Sequence, residues 1–387
     1  MKILTFDTET TTFQKGNPYS EPNRMVCIGL YSTEEGYHHL DMLMPTKDDL
    51  DTIQRLLDSH DLIVGFNLKF DLSWVRRYGI DISNLRVWDC QLVQFILSGQ
   101  TEAYPSLAGC CELYKLGSKL DVVKLEYWDK GIDTDQIPLD ILREYCQQDV
   151  MLTYEVYRRQ ARVLSSCTKQ LQTLISLSNQ DLLTLQEMEW NGILYNFEES
   201  LSLGNNVQQQ VAVLDSRLSM VIDRIPCNWG SGDHLSAILY GGTIVEDYQE
   251  PDGTTYKTGP RAGQQRVRWK ERVHTLPRLI EPLKGSELKK EGYYATNEST
   301  LLSLKAKGKA KDIIANIQER SKLEKLAGTY YLGIPKLSGE MQWQANLIHG
   351  QFNQVVARTG RLSSSKPNLQ NMVPEVEKLM PTRFPLI

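Results

Sequence analysis

No run of about eighteen or more apolar residues occurs in this sequence, so nothing in it reads as a membrane-spanning helix. Histidine is scarce, at six residues, and none stands at zinc-finger spacing from a cysteine. The seven cysteines are Cys27, Cys90, Cys110, Cys111, Cys146, Cys167 and Cys227. They contain no CxxC pair, and adjacent Cys110 and Cys111 suit no ordinary disulfide framework. A structural zinc module and a disulfide scaffold are both excluded on this reading, and a reducing cytosol is expected. The first residues, MKILTFDTET, put carboxylates where a secretory signal needs an apolar stretch. Internal repeats and low-complexity tracts are also missing.

What is present is an ordinary globular composition, 41% hydrophobic and 24% charged, spread over 387 residues. That length exceeds what one hydrophobic core usually organises, so two or three domains are expected. The net charge of −5 hides an asymmetry. Residues 257–311 carry 14 Lys and Arg against 5 Asp and Glu, whereas residues 1–165 carry 17 basic against 25 acidic side chains. An acidic half suits cations and a basic stretch suits phosphates.

Residues 1–165 alternate strand and helix patterns. KILTF, MVCIGLYS, YHHLDMLM and DLIVGFN have strand character, while DDLDTIQRLLDSH, LKFDLSWVRRYG, SLAGCCELYKLG and LDILREYCQQDVMLTYEVYRRQARVL have helical spacing. This alternation predicts a sheet flanked by helices. Beyond residue 166 the patterns turn helical, in TKQLQTLISLSNQDLLTLQEMEWNG, SLGNNVQQQVAVLDSRLSMVIDR and DIIANIQERSKLEKLAGTYYLG. Residues 241–300 read as a polar, extended insertion, and the last 45 residues as short strands and loops.

The acidic residues of the first domain form a pattern. Asp7 and Glu9 lie two apart at the end of a strand and therefore face the same way. Asp71 follows the strand pattern LIVGFN by one helical turn. Tyr145 and Asp149 lie four apart on a helix, on one face. Several carboxylate oxygens converging from separate elements are what two hard divalent cations need, and such a pair suits attack of water on a phosphodiester.

FDTET (Asp7, Glu9), NLKFD (Asn67, Asp71) and YCQQD (Tyr145, Asp149) resemble the three exonuclease motifs of the DEDD superfamily in its tyrosine variant, as found in the proofreading domain of family A DNA polymerases. The resemblance implies a ribonuclease H-like α/β domain with a mixed sheet flanked by helices. It also implies 3′→5′ exonuclease activity supported by two Mg²⁺ or Mn²⁺ ions. Asp7, Glu9, Asp71 and Asp149 would be the metal ligands, Tyr145 a further catalytic residue, and Asn67 a contact to DNA.

The remainder resembles the same family. LQEMEWNGILYN, with Met188, Glu189 and Gly192, is similar to the helix entering the polymerase thumb. ERSKLEKLAGTYYLGI is similar to the long thumb helix, and IHGQFNQVVARTGRLSSSKPNLQNMV to the start of the palm. The implied plan is an exonuclease domain at 1–165, a mostly α-helical thumb at 166–342 with the basic insertion near 241–300, and an incomplete α+β palm segment at 343–387. Lys325 and the basic stretch would hold the phosphates of a primer–template duplex. Arg361, Asn368 and Gln370 match positions that reach minor-groove acceptors, where pairing geometry is sensed without reading sequence.

The D-Y/F-S-Q palm motif, the fingers helix and the H-D-E-like motif of the family do not occur in these 387 residues. The expectation is therefore a proofreading portion of a family A replicative polymerase, with palm and fingers on a second polypeptide or on residues outside these 387. The compact plan suggests a phage enzyme, and the insertion around 241–275 is a candidate dock for a processivity factor. Two other readings fit less of the sequence: a stand-alone exonuclease using the thumb for duplex grip, and a non-catalytic DNA-binding accessory protein. Unpartnered palm strands would leave apolar surface at Met372, Val373, Leu379 and Met380.

Overall fold

The computed structural model describes residues 1–117, 122–344 and 346–382. The chain forms two compact units, Met1–Phe197 with Lys336–Ile387, and Glu198–Pro335. This division differs from the boundaries at 165 and 342 expected from the sequence.

The first unit begins with strands β1 (Ile3–Thr10), β2 (Met25–Ser32) and β3 (Gly36–Asp41), then helix α1 (Lys47–Ser59). Next come β4 (Leu62–Gly65), α2 (Leu68–Arg77), β5 (Val87–Asp89), α3 (Cys90–Leu97), α4 (Leu107–Tyr114) and α5 (Val122–Glu126). Two long helices follow, α6 (Leu139–Ser165) and α7 (Lys169–Asn191). The strands pair in the order β3-β2-β1-β4-β5. β1 runs antiparallel to β2 and β2 to β3, while β1–β4 and β4–β5 are parallel. This is the expected mixed sheet.

Alternation sets the two faces of that sheet. Leu4, Phe6, Ile28 and Leu30 point into the larger core with Leu68, Leu72 and Trp74 of α2. On the opposite face Cys27 packs with Tyr145, Cys146 and Val150 of α6. α7 joins the first unit because Ile175 and Leu182 are buried in the larger core. Its amphipathic spacing announces an apolar face but not which neighbour covers it.

A short strand β6 (Ile193–Leu194) leads to the second unit, which contains α8 (Phe197–Val221), α9 (Gly232–Tyr240), β7 (Gly242–Thr255) and β8 (Gln265–Leu276). It continues with α10 (Glu298–Ser303), α11 (Gly308–Lys325) and a π-helical stretch, Leu326–Tyr331. Leu218, Ile238, Leu239, Ile313 and Ile317 form its core. The polar insertion is a long antiparallel ribbon, β7 against β8. Along one ribbon face Glu250 pairs with Arg268 and Lys270, and Glu246 with Arg272 and His274. Part of the basic surplus is thus neutralised within the unit.

The chain then runs through α12 (Gly333–Met341), β9 (Leu347–Ile348), β10 (Gln351–Asn353), β11 (Ser363–Ser365) and α13 (Pro374–Glu377). β9 pairs with β6, and β10 with β11. The Asn196 amide donates to the Leu379 carbonyl at 2.9 Å. Leu379 is fully buried, and Met372, Val373 and Met380 are half-buried. This corrects the expectation of unpartnered apolar surface: the segment packs inside the first unit, and strand pattern alone gave no sign of its partners.

Candidate active site

Odd-numbered residues of β1 face α6, so the strand presents Asp7 and Glu9 there in sequence. α6 answers with Tyr145, Cys146 and Asp149, all buried. Carboxylate oxygens of Asp7 and Glu9 and the Cys146 sulfur lie within 4.8 Å of one another. The Cys146 thiol donates to the Asp7 carbonyl at 3.8 Å. The Tyr145 ring meets Trp128 edge to face, with centroids 6.0 Å apart.

Asp71 arrives from the first turn of α2 and is 2% exposed. It is tied to the residue between the two β1 acids: Oδ1 accepts from the Thr8 amide at 3.1 Å and from the Thr8 hydroxyl at 2.6 Å. Burial drives the Asp71 carboxyl well above its ordinary range, and the charge of Asp7 adds to this, while both Thr8 bonds oppose it. The ionised form is therefore held against a cost that a cation would relieve.

The position of α2 has its own cause. Asp89, at the end of β5, accepts from the backbone amides of Asn67 and Leu68 at the start of α2 and of Gln91 and Leu92 at the start of α3. One buried carboxylate thus satisfies orphan donors at two helix N-termini. Burial raises the Asp89 carboxyl, with those four bonds in opposition. Asn67 occupies the left-handed region at φ 61°, which asparagine tolerates better than most residues.

Asp7 and Glu9 come from β1, Asp71 from α2 and Asp149 from α6, three separate elements. Their donor set is all oxygen, which fits hard divalent cations such as Mg²⁺ or Mn²⁺. The nearby Cys146 sulfur is softer and is engaged with the main chain.

The expected DNA contacts divide. Asn67 lines a polar cleft of about 530 Å³ with Lys15, Tyr19, Lys69, Gln351 and Asn353. Arg361, Asn368 and Gln370 are exposed in the C-terminal segment of the same unit. The Asn368 side chain accepts from the Gln370 amide at 3.1 Å, so it also shapes its own turn. Lys325 is exposed at the end of α11, in the other unit.

Sequence reasoning missed Thr8 and Asp89. Thr8 stood inside FDTET without a partner in the sequence, whereas Asp89 precedes CQLVQFIL at an N-cap position and was open to recognition. The role of Glu189 is also unexpected. Its carboxylate accepts from Lys69 Nζ at 2.6 Å and from the Phe352 amide at 2.6 Å, joining α7, α2 and β10. Burial nevertheless leaves the Glu189 carboxyl raised, against the pull of Lys69.

Residues 1–164 match the family described as 3′-5′ exonuclease, and residues 262–383 match DNA polymerase family A. DNA polymerase I of Synechocystis sp. is 28% identical over 310 residues, which are 79% of this chain and 26% of that protein. The DNA polymerase of Bacillus phage SP01 is 25% identical over 390 residues, 95% of this chain and 41% of the relative. Among solved structures, the POL domain of Pol1 from M. smegmatis, in complex with DNA primer-template and dNTP, superposes with a TM-score of 0.67. At 16% identity, over 97% of this chain and 53% of that one, the likeness establishes the fold. Together the stretches 1–164 and 262–383 cover most of the chain, which along them is similar to DNA polymerase family A and to its 3′-5′ exonuclease domain. It spans about a quarter of the length of the DNA polymerase I relatives from Synechocystis and Chloroflexus aurantiacus.

Proposed function

We propose that this chain removes nucleotides from the 3′ end of DNA by metal-assisted hydrolysis, as the proofreading part of a family A DNA polymerase. The observation that carries the reading is the gathering of Asp7, Glu9 and Asp71 around the end of β1. There Asp71 is buried and its ionised form is penalised by Asp7.

Asp7, Glu9, Asp71 and Asp149 would hold two divalent cations. When bound, these supply an activated water and stabilise the leaving oxygen. Tyr145 orients the water through its hydroxyl. Thr8 fixes Asp71 against β1, and Asp89 fixes the helix that carries it. Asn67 and the polar cleft guide the terminal nucleotide. The water oxygen bonds to phosphorus, the P–O3′ bond breaks, and the departing 3′ oxygen takes up a proton in exchange for the one that the water loses. The products are a nucleoside 5′-monophosphate and a shortened strand.

The exposed Arg361, Asn368, Gln370 and Lys325 serve duplex binding in this proposal, through minor-groove acceptors and phosphates. Polymerisation draws on palm and fingers residues outside these 387. A polypeptide carrying them, from the D-Y-S-Q motif onward, should bind this segment and restore primer extension; lack of binding argues against its role beside a palm.

The nuclease reading is tested with 5′-labelled single-stranded DNA and Mg²⁺. A ladder of products shortened from the 3′ end, abolished by chelation, is expected. Internal cleavage, or no cleavage, would contradict the proposal.

A further inference from the structure

The face of the sheet that carries Asp7 and Glu9 continues onto the two neighbouring strands. Asp7 pairs with Gly29, which pairs with His39; Glu9 pairs with Cys27. α6 lowers Cys146 onto the same face. The sulfurs of Cys27 and Cys146 and a ring nitrogen of His39 lie within 4.8 Å of one another. Both cysteines are completely buried and His39 is partly exposed. Gly29 leaves the room: a Cβ there would stand 2.8 Å from the Cys146 sulfur and 2.7 Å from the Tyr37 hydroxyl. That hydroxyl also contacts His39 Nδ1 at 3.4 Å, the kind of outer partner that orients a ligating imidazole.

We propose that Cys27, His39 and Cys146 form a soft-metal site of the zinc class, coupled to the exonuclease centre through Cys146. Two sulfurs and an imidazole select zinc-like ions over Mg²⁺. At Zn–S distances of about 2.3 Å and Zn–N of about 2.0 Å, tetrahedral ligand atoms stand roughly 3.3–3.8 Å apart, so small side-chain rotations close the site. Binding takes up one M²⁺ and releases the two thiol protons to solvent. The fourth position falls to water or to Asp7 or Glu9, whose oxygens lie within 4.8 Å of the Cys146 sulfur. Tyr145 and Asp149 share α6 with Cys146, so occupancy shifts nuclease residues and inhibits hydrolysis. The inhibitory half of the proposal rests on the exonuclease reading; the binding half does not.

The test uses the full chain, reduced, with Mg²⁺ in excess and Co²⁺ as the probe. A thiolate-to-cobalt charge-transfer band is expected. It should vanish in Cys27→Ser and persist in the Asp7→Ala plus Glu9→Ala variant. His39→Gln, at a partly exposed position, should weaken Co²⁺ binding at least about 10-fold. No band in the wild type, or a band unchanged in Cys27→Ser, overturns the site. In a Mg²⁺-driven nuclease assay, half-inhibition by Zn²⁺ should need at least about 10-fold more metal in Cys27→Ser than in wild type. Equal inhibition of both overturns the coupling. A wild type without nuclease activity refutes the exonuclease reading and the inhibition drawn from it, while the cobalt band still decides the site.

Discussion

Replacing Thr8 by valine keeps the side-chain volume and removes one hydrogen bond, the 2.6 Å contact from the hydroxyl to Asp71 Oδ1. A hydrogen bond to a charged group contributes about 1.5–3 kcal/mol. The Thr8 amide still donates to the same oxygen at 3.1 Å, so the lower end, about 1.5 kcal/mol, is expected. With 1.4 kcal/mol per tenfold, the Mg²⁺ concentration for half-maximal nuclease activity should rise about 10-fold. The rate at saturating Mg²⁺ should hardly change, because Thr8 positions Asp71 and does not touch the scissile bond.

The pH profile offers an independent readout. The Asp71 carboxyl is already raised by burial and by Asp7, and loss of the hydroxyl raises it further. Activity needs the ionised form, so the acid limb should move to higher pH in Thr8→Val and return toward lower pH as Mg²⁺ is increased. A carboxyl raised on folding contributes stability below its unfolded pKa, and that contribution is lost as pH rises through the folded value. The stability deficit of Thr8→Val should therefore be larger at neutral than at acid pH. An unchanged Mg²⁺ requirement, or a rate loss that persists at saturating Mg²⁺, would refute the positioning role.

Glu189→Ala leaves Lys69 Nζ with the Phe352 carbonyl as its remaining partner here and deprives the Phe352 amide of its acceptor. The cost should be about 3 kcal/mol, a fall of roughly 6–12 °C in the Tm of the first unit. Lys69→Met with Glu189→Leu should recover part of it, and strictly additive single effects would show that the pair is not coupled. Gly29→Ala puts a methyl group 2.8 Å from the Cys146 sulfur and 3.2 Å from a Val150 methyl. Overpacking there should cost about 1–3 kcal/mol in urea denaturation and lower nuclease activity; wild-type stability would mean that α6 can yield without cost.

The parts of the site visible in the sequence are those that local pattern encodes. FDTET, NLKFD and YCQQD each lie within one turn or one strand end, and MVCIGLYS is the strand Met25–Ser32. β5 has only three residues, too few for a period to emerge. The ribbon formed by β7 and β8 was expected only as an extended insertion, because both of its faces carry charge and mask the alternation that marks a half-buried strand. Partnerships between distant segments were also hidden. Nothing local relates Thr8 to Asp71, Asp89 to the start of α2, or Glu189 to Phe352. Cys27, His39 and Cys146 offer no zinc spacing in the sequence, since two strands and a helix must assemble before the three side chains meet.

The most direct test of the account compares wild type with the Asp7→Ala plus Glu9→Ala variant on 3′-labelled DNA in Mg²⁺, with folding checked by matching circular dichroism. The wild type should release labelled mononucleotide. In the variant, release should fall by at least about 100-fold, since two carboxylate ligands of the metal centre are removed. Equal release by both proteins would contradict the assignment of hydrolysis to this site.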